Sequence, residues 1–475
     1  MQGDKQEEQD DLFYYGTLDS LVPQDDPYRR LDALLDLDWL RRDTRSLYAY
    51  GGRPSIDPIV IAKLLLIAYL QGITSERELM RQVQVNLSYR RFVHYSLSAR
   101  LPDHSSLTRS RQRLGEATVR RIFEYVLQLC IDAGLVGGDL QSVDSTFVQA
   151  NASLSSLRTR LVAAEAQRFT ERIFQLNSLA DGEVEERRPP GSGLGMKTTR
   201  GRSKQPPAHE SKVSVTDPDA RLHHRRGKGT HLGYLVQYAV DSCKQVITGV
   251  LTTGAHERDT GQIVPLLDQV SGHGVDVKAV AADRGYSSGE VFYELAQRGI
   301  QAYIPQPRSG GEVYGHFGQH RFIYDASADR YQCPQGAWLR RVKSRGPERR
   351  YKASKPDCRV CPLHEQCTSA SVRTLNISPY SRDLLAAREL QATAGAKKAA
   401  RLRRVCSERT FAEAKGCHGL RRAHRRGLHN MDIQALLTAT VINLKRYIKA
   451  QTRAFPASAA ARQAYSPACR PLCQA

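Results

Sequence analysis

The sequence is short of acidic residues: it holds 49 Asp and Glu against 70 Lys and Arg, which gives a formal net charge of +21. It also lacks a long apolar run, because the longest one, Pro58–Ile73, includes Lys63 and Gln71 and is too short to span a bilayer. No basic segment followed by an apolar one opens the chain, so no secretory signal is expected. No internal repeat is apparent. These absences exclude the membrane-spanning and secreted classes and predict a cytoplasmic protein with a polyanionic partner, of which nucleic acid is the commonest.

Cysteine is also sparse, with 10 in 475 residues, which is too few for a disulfide-dense scaffold. At 40% hydrophobic and 25% charged residues the chain has a globular composition, and its length predicts about three domains. Four cysteines are grouped in a turn-rich setting, and 24, 2 and 5 residues separate Cys333, Cys358, Cys361 and Cys367. This spacing suits a tetrahedral structural Zn²⁺ site, with His364 as a substitute ligand; free buried thiols are the alternative.

The first 135 residues have helical periodicity, with helix-start signals at Asp57, Ser75 and Asp103. The helix that follows Asp103 carries three arginines that would lie either against DNA phosphates or on a solvated face: Arg109, Arg111 and Arg113.

After Gly134 the period changes to one of strands that alternate with helices. Strands are predicted at 140–148, 234–240, 246–252, 277–282 and 302–305, and helices at 151–182, 260–270 and 288–298. A flexible basic loop is predicted at 185–210 and a helical, basic stretch at 381–450. A strand, a hairpin and then helix–strand alternation predict an α/β fold with a mixed sheet covered by helices.

Two acidic residues stand out on the predicted strands. Asp144 lies in the middle of one, where an unpaired carboxylate is costly to bury, and Asp283 follows another, at the end of the strand where ligands collect in open α/β sheets. The segment 256–259 (His-Glu-Arg-Asp) opens a helix after a strand. It is interpreted as an ordinary helix N-terminus, with a place beside the acidic site as the alternative.

A third acid belongs to a helix-spaced set. Arg404, Glu408, Phe411 and Lys415 stand at steps of 4, 3 and 4, which places them on one stripe of an α-helix. The alternative is an ion pair of Arg404 with Glu408 on a solvated face. The surrounding residues 396–429 hold 11 Lys and Arg, among them Arg421 and Arg422, against 2 acids, a density that favours contact with a DNA backbone.

The spacing Arg404, Glu408, Lys415 resembles the Tyr-Arg-Glu-Lys signature of DDE-type transposases from bacterial insertion sequences, with Arg401 in place of the tyrosine. Residues 142–146 and 281–286 look like the two Asp motifs of that family. Residues 417–423 followed by 443–446 look like its C-terminal ending. The helical N-terminal segment is similar to the domain that precedes the catalytic domain in one branch.

The resemblance implies an RNase H-like fold in which Asp144, Asp283 and Glu408 ligate two Mg²⁺ ions, with Mn²⁺ as a substitute. The implied activity is cleavage at the ends of an insertion sequence and strand transfer into target DNA. Lys415 would contact phosphate near the scissile bond, and Arg404 would do the same or orient Glu408. If Glu408 is not the third acid, Glu413 is the next candidate.

The expected domains are a flexible acidic N-terminus (1–27), a helical DNA-binding domain (28–135), a catalytic domain (136–305 and 381–450, with a flexible basic loop at about 183–212), a Cys-rich insert (306–380) and a loose tail (451–475). The expected partner is double-stranded DNA, bound by a homodimer, with no membrane association. Two alternatives stay open: a catalytically inactive or domesticated DNA-binding relative, and a host nuclease of the same fold.

Overall fold

The computed structural model describes residues 16–48, 51, 55–159, 212–225, 227, 229–307, 315–344 and 346–454. The predicted basic loop at 185–210 and most of the helix predicted at 151–182 lie outside these residues. Within the described part of the latter, residues 157–159 form a strand, so the helical prediction is wrong there. Among the described helices, none has the length and hydropathy needed to traverse a lipid bilayer.

The first half of the chain is helical and then turns to strands. Its helices are α1 (Leu18–Leu21), α2 (Pro27–Leu34), α3 (Trp39–Asp43), α4 (Pro58–Leu70), α5 (Glu76–Val85), α6 (Leu87–Phe92) and α7 (His104–Asp132). The strands that follow are β1 (Gln141–Gln149), β2 (Leu157–Thr159), β3 (Lys212–Ser214), β4 (Arg221–Arg225), β5 (Gly229–Asp241) and β6 (Ile247–Gly254).

The second half alternates helices and strands before it becomes helical again. It contains α8 (Ile263–Gly272), β7 (Ala279–Ala281), α9 (Gly289–Gln297), β8 (Gln301–Tyr303), β9 (Ile323–Asp325), β10 (Arg330–Gln332), β11 (Trp338–Val342), β12 (Arg349–Ala353), α10 (Lys355–Arg359), α11 (His364–Cys367) and β13 (Thr374–Ile377). It ends with α12 (Ser381–Gln391), α13 (Ala394–Arg403), a π-helical turn (Arg404–Glu408), α14 (Arg409–Cys417) and α15 (Leu428–Ala454).

The chain divides into two compact units that interleave in sequence. The first, here the helical unit, comprises Met1–Ala133, Val148–Tyr234 and Ala412–Ala475, and the second, the sheet unit, comprises Gly134–Phe147 and Leu235–Phe411. The predicted catalytic domain includes all of 381–450. In the structure the residues from Ala412 onward lie in the helical unit.

The helix starts in the helical unit are those that the sequence predicts. The side chains of Asp57 and Asp103 accept hydrogen bonds from backbone N–H groups two residues ahead, at 2.9 Å and 2.8 Å, and Ser75 accepts one from Glu78 at 3.4 Å. Each cap satisfies an N–H group that has no partner inside its helix. The helices pack through α7, α4 and α15.

A glycine divides the long helix α7. Gly115 has φ of 68° and a non-helical ψ inside it, a backbone conformation that costs least at glycine. The part of α7 that follows this kink extends to Asp132.

The main sheet has six strands: β4, β5, β1, β7 and β8 are neighbours in that order, and β6 also pairs with β5. β1 pairs with β7 in parallel, with Ser142 opposite Ala281, and β7 pairs with β8 in parallel. The β5–β6 connection is the predicted hairpin, closed by a hydrogen bond from the Asp241 N–H to the Val246 carbonyl at 2.8 Å. Helices α8, α9, α12 and α13 pack on these strands. The predicted class, a mixed α/β sheet preceded by an all-α region, is confirmed.

The Cys-rich insert is a small sheet of its own. Strands β9 to β13 pair in sequence order, all antiparallel, in the order β13-β12-β11-β10-β9. Its core is a cluster around Tyr331, Leu339 and Tyr351, against which Cys333, Cys358 and Cys367 pack.

Candidate active site

The sheet register brings the two predicted aspartates together. Asp144 lies two residues beyond Ser142 and Asp283 two residues beyond Ala281, and Ser142 and Ala281 face each other across parallel strands. β1 and β7 are about 4.8 Å apart, and Asp283 follows the end of β7 by two residues whereas Asp144 lies inside β1. The two carboxylates act on each other electrostatically.

Asp144 contacts Arg403, a cation outside the predicted set of site residues. The Arg403 Nη1 atom lies 3.0 Å from Asp144 Oδ2, and the two side chains are 23% and 22% exposed. The backbone N–H of Ser145 donates to Asp144 Oδ1 at 2.9 Å. Arg404, predicted to contact phosphate or to orient Glu408, has an exposed side chain.

Asp283 begins a turn whose glycine lets two carboxylates lie close to the backbone. The Gly285 N–H donates to Asp283 Oδ1 at 2.8 Å. A Cβ atom added at Gly285 would lie 2.9 Å from Asp283 Oδ1 and 3.1 Å from Asp259 Oδ2, so these two oxygens are at most about 6 Å apart. Asp259 therefore lies beside the site, and the alternative interpretation of the 256–259 segment agrees with its position.

Burial and charge act strongly on these groups. Desolvation raises the pKa of Asp144 to about 6, against the opposing effect of the Arg403 guanidinium and with further increases from Asp283 and Asp259. Tyr286 follows Gly285, and its side chain is fully buried. Its pKa is raised well above 10 by burial and by the carboxylates of Asp259, Asp144 and Asp283.

The third predicted acid is placed apart from this group. Glu408 ends the π-helical turn with an exposed side chain. Among the described residues, no three His, Cys, Asp or Glu side chains stand close enough to hold a metal ion as they are placed. The role of Glu408 as the third metal ligand therefore stays a prediction.

The alternative third acid, Glu413, has structural partners. Its carboxylate lies 2.5 Å from Lys445 Nζ and 2.6 Å from Arg446 Nη2 in the helical unit. Burial raises the pKa of Glu413, but a hydrogen bond with His418 and the two cations together hold it far below the usual range. The contacts tie α14 to α15, which gives Glu413 a role in folding.

The prediction that the side chains of Arg404, Glu408, Phe411 and Lys415 lie on one face of an α-helix is wrong. The π-helical turn has more residues per turn than an α-helix, so the steps of 4, 3 and 4 no longer fall on one face. Phe411 is buried and stacks on Tyr238, with ring centroids 5.1 Å apart and planes 8° apart, whereas Arg404 and Glu408 are exposed.

The predicted DNA-contacting arginines of α7 divide into two kinds. Arg109 and Arg113 are exposed and line a surface groove of about 760 Å³ together with Arg100. Arg111 is 2% exposed, and its guanidinium contacts Glu76 at 3.3 Å and Asn430 at 3.3 Å. The prediction of a phosphate contact is wrong for Arg111, because the alternate spacing turns its side chain into the helical unit.

The remaining predicted DNA-contacting residues lie on or after α14 in the helical unit. Arg421 and Arg422 are exposed, and Lys415 is half-buried. The Arg421 Nε atom donates to the Lys415 carbonyl at 3.2 Å.

The four predicted zinc ligands line one small cavity. Cys333, Cys358, Cys361 and Cys367 surround a volume of about 40 Å³, to which His364 also contributes, and all four are free thiols. Desolvation raises the pKa of the Cys367 thiol, and the other three thiols add to that increase. The insert thus brings together side chains that are up to 34 positions apart in sequence.

Two family models match the chain in separate segments: a transposase domain (DUF772) matches residues 16–113, and a transposase DDE domain matches residues 332–448. The structure of the piggyBac transposase synaptic complex with hairpin DNA is similar at 10% identity and a TM-score of 0.30, over 92% of this chain and 80% of that one. The pre-cleavage Mos1 transpososome is similar at 8% identity and a TM-score of 0.15, over 62% and 76%. No curated protein matches the chain.

Proposed function

This chain is related to the DDE-type transposases, and on that premise we propose that it cleaves DNA at the ends of an insertion sequence and transfers the strands into target DNA. The observation that supports this proposal is a pair of neighbouring aspartates: Asp144 inside β1, and Asp283 just after the parallel strand β7, act on each other electrostatically. Ligands of open α/β sheets collect beyond the carboxyl ends of strands, where Asp283 lies.

The carboxylates of Asp144 and Asp283 suit a hard divalent cation. Carboxylate oxygens are the ligands that Mg²⁺ prefers. Asp144 and Asp283 would hold Mg²⁺, or Mn²⁺ in its place, and Glu408 is the proposed third ligand. When bound, two such ions activate a nucleophile and neutralise the charge on the attacking and leaving oxygens of a phosphodiester.

The protein's own residues prepare these carboxylates. Arg403 and the Ser145 N–H orient the Asp144 carboxylate from two sides, and the Gly285 N–H orients that of Asp283. Hydrogen bonds of this kind fix the orientation of carboxylates that bind a metal.

We further propose that double-stranded DNA binds along two sets of exposed cations in the helical unit. Arg109 and Arg113 face one groove, and Arg421 and Arg422 follow α14. Arg404 and Lys415 are proposed phosphate contacts near the reacting strand. Two element ends must be joined in one complex, so the proposed assembly on DNA is a homodimer that acts in the cytoplasm.

The insert is proposed to bind one structural Zn²⁺ ion through Cys333, Cys358, Cys361 and Cys367. The support is the shared cavity of the four thiols, which tetrahedral Zn²⁺ would draw to about 2.3 Å from the metal. Metal analysis of the purified chain should give one zinc per molecule. We expect Cys358→Ser to lose it and Cys243→Ser, an exposed cysteine outside the group, to keep it. Zinc-free wild-type protein that melts at the same temperature as zinc-treated protein would contradict the proposal.

The test of function is Mg²⁺-dependent cleavage of DNA that carries the sequences flanking the coding region. The full chain is compared with Glu408→Gln and with Glu389→Gln, which changes an exposed glutamate on α12. Cleavage at a defined boundary that only Glu408→Gln abolishes is the expected result.

Three other outcomes would count against parts of the proposal. Cleavage that persists in Glu408→Gln would remove Glu408 from the metal site. Binding without cleavage by the wild type would favour the inactive, DNA-binding relative. Cleavage without joining to target DNA would favour a nuclease.

A further inference from the structure

The five-stranded sheet of the Cys-rich insert has two faces of different chemistry. Tyr331 pairs with Leu339 across β10 and β11, Leu339 pairs with Ala353 across β11 and β12, and all three are buried in the core of the insert. Side chains alternate along a strand, so the residues next to these three point to the opposite face. That opposite face, here called the outer face, carries Arg330, Trp338, Arg340, Val342, Arg350 and Lys352.

Three cations of the outer face stand directly opposite one another on neighbouring strands. Arg330 pairs with Arg340, and Arg340 pairs with Lys352, in the antiparallel register. Side chains at opposite positions are about 4.5–5.5 Å apart at Cβ, and like charges at such positions destabilise a sheet. The row of cations is therefore unfavourable for the free protein, and an anionic partner would relieve the repulsion.

One of these three cations is compensated within the insert. The Arg330 Nε atom lies 2.9 Å from Asp325 Oδ2, and the Arg330 guanidinium carbon lies 3.7 Å from the centroid of the Trp338 ring. Arg340 and Lys352 are exposed and form no ion pair or hydrogen bond with any other residue that the structure describes. These two side chains are therefore available to an external anion.

A groove of about 830 Å³ runs beside the outer face. Trp338, Arg340, Val342 and Lys352 line it, and Asp357 is the acid among its described lining residues. The hairpin that forms one side of the groove is strongly basic, because residues 338–353 contain 7 Lys and Arg against 1 acid. A basic groove of this kind attracts a polyanion.

We propose that the outer face of the insert binds the phosphate backbone of double-stranded DNA, with Arg340 and Lys352 as phosphate contacts. A row of cations across neighbouring strands suits a row of phosphates better than one small anion. Arg330 covers one side of the Trp338 ring and so keeps that aromatic surface from stacking on bases, which favours a duplex over a single strand.

This inference rests on the proposed function for the identity of the partner. It adds a DNA-binding surface on the insert to the exposed cations already proposed in the helical unit. It also gives the insert a role in substrate binding besides its proposed Zn²⁺ site.

The test is the binding of the full chain to labelled DNA, measured by fluorescence anisotropy at several salt concentrations, with a duplex and with one of its strands alone. Arg340→Gln removes one proposed contact, and Arg340→Gln/Lys352→Gln removes both. Arg341→Gln is the matched control, because Arg341 is the next residue of β11, is also exposed, points to the other face and contacts Asp329 at 3.0 Å.

Each lost phosphate contact should reduce the dependence of duplex binding on salt. We expect Arg340→Gln to lower the slope of log affinity against log salt by about one unit and the double variant to lower it by about two. Arg341→Gln should keep the wild-type slope. Without DNA, the double variant should melt no lower than the wild type, because the change removes repulsion between opposite like charges.

The outcomes separate this inference from the proposed function. A wild-type slope in the double variant, with the wild type binding and cleaving duplex DNA, would overturn this surface and leave the transposase proposal standing. Duplex binding that depends on Arg340 and Lys352 in a protein that cleaves no DNA would overturn the proposed cleavage and leave this surface standing.

Three further results would also overturn the surface. An equal loss of slope in Arg341→Gln would assign the effect to net charge. A lower melting temperature of the double variant would assign it to folding. Tighter binding of the single strand than of the duplex would contradict the choice of partner.

Discussion

Removal of the charge at Asp144 should stabilise the metal-free protein, although Asp144 contacts an arginine. Its pKa rises from 3.8 to about 6 because burial outweighs the attraction of Arg403. At about 1.4 kcal/mol per pKa unit, this shift corresponds to a cost of about 3 kcal/mol for ionised Asp144 in the folded state. Since the side chain is 22% exposed, screening reduces the expected cost to about 1–3 kcal/mol.

The sign of the effect depends on pH. The folded protein holds the Asp144 proton up to about pH 6, whereas the unfolded chain releases it near 3.8, so the folded state binds more protons between these values. Stability therefore falls as pH rises through this window. The cost is fully present above pH 6 and absent below about pH 4.

Asp144→Asn tests this reasoning, because asparagine can still accept a hydrogen bond from Arg403. In EDTA at pH 7.5 we expect a higher melting temperature by a few degrees, since about 1 kcal/mol corresponds to about 2–4 °C for a unit of this size. The gain should shrink toward zero as the pH falls from 6 to 4. Asp276→Asn, which changes an exposed aspartate in the sheet unit, should show no such trend. A lower melting temperature for Asp144→Asn at pH 7.5, or a difference independent of pH, would refute the reasoning.

Three further perturbations follow from the described contacts. Arg109→Ala and Arg113→Ala should each reduce the salt dependence of DNA binding by about one unit of slope and leave the melting temperature unchanged; an unchanged slope would remove them from the interface. Arg111→Ala should lower the melting temperature, because it leaves the half-buried Glu76 carboxylate with fewer partners, and stability equal to wild type would contradict its structural role. Asp241→Ala should cost at least about 3 kcal/mol in urea unfolding, because its carboxylate accepts hydrogen bonds from Gly138 at 2.9 Å, Gln141 at 2.9 Å and the Cys243 N–H at 2.8 Å.

Local features of the fold were predictable because their causes are local. The caps at Asp57, Ser75 and Asp103 need only a side-chain oxygen and an N–H group two or three residues away. The strands around Asp144 and Asp283 follow from short apolar runs bounded by turns. That the two acids meet depends on the register of β1 and β7, which periodicity alone does not specify.

Long-range contacts escaped prediction for the same reason. In the sequence Arg111 has the same predicted role as Arg109 and Arg113. Only the fold shows that Arg111 contacts Glu76 and Asn430. Asp259 was ambiguous in sequence because a helix N-terminus and an active-site turn have similar composition, and only the neighbouring Gly285 turn distinguishes them. Arg403 and Tyr286 carried no signal of their own, since their roles depend on what surrounds them in three dimensions.

The predicted roles of Arg404 are a phosphate contact or the orientation of Glu408, and Arg403, which has no predicted role, contacts Asp144 at 3.0 Å. An α-helical interpretation of Arg404 and Glu408 places them on one face, four residues apart. In the structure a π-helical turn spans Arg404–Glu408, directly after Arg403, and changes that relationship. Such turns are frequent at functional sites, because they offset side chains that a regular helix would align. The same offset leaves Glu408 exposed at the end of the turn, so a change of this turn to regular α-helix would move Glu408 while Arg403 stays near Asp144. Nuclear magnetic resonance of the 404–408 amides with and without diamagnetic Mg²⁺ would detect that change, and identical spectra would contradict it.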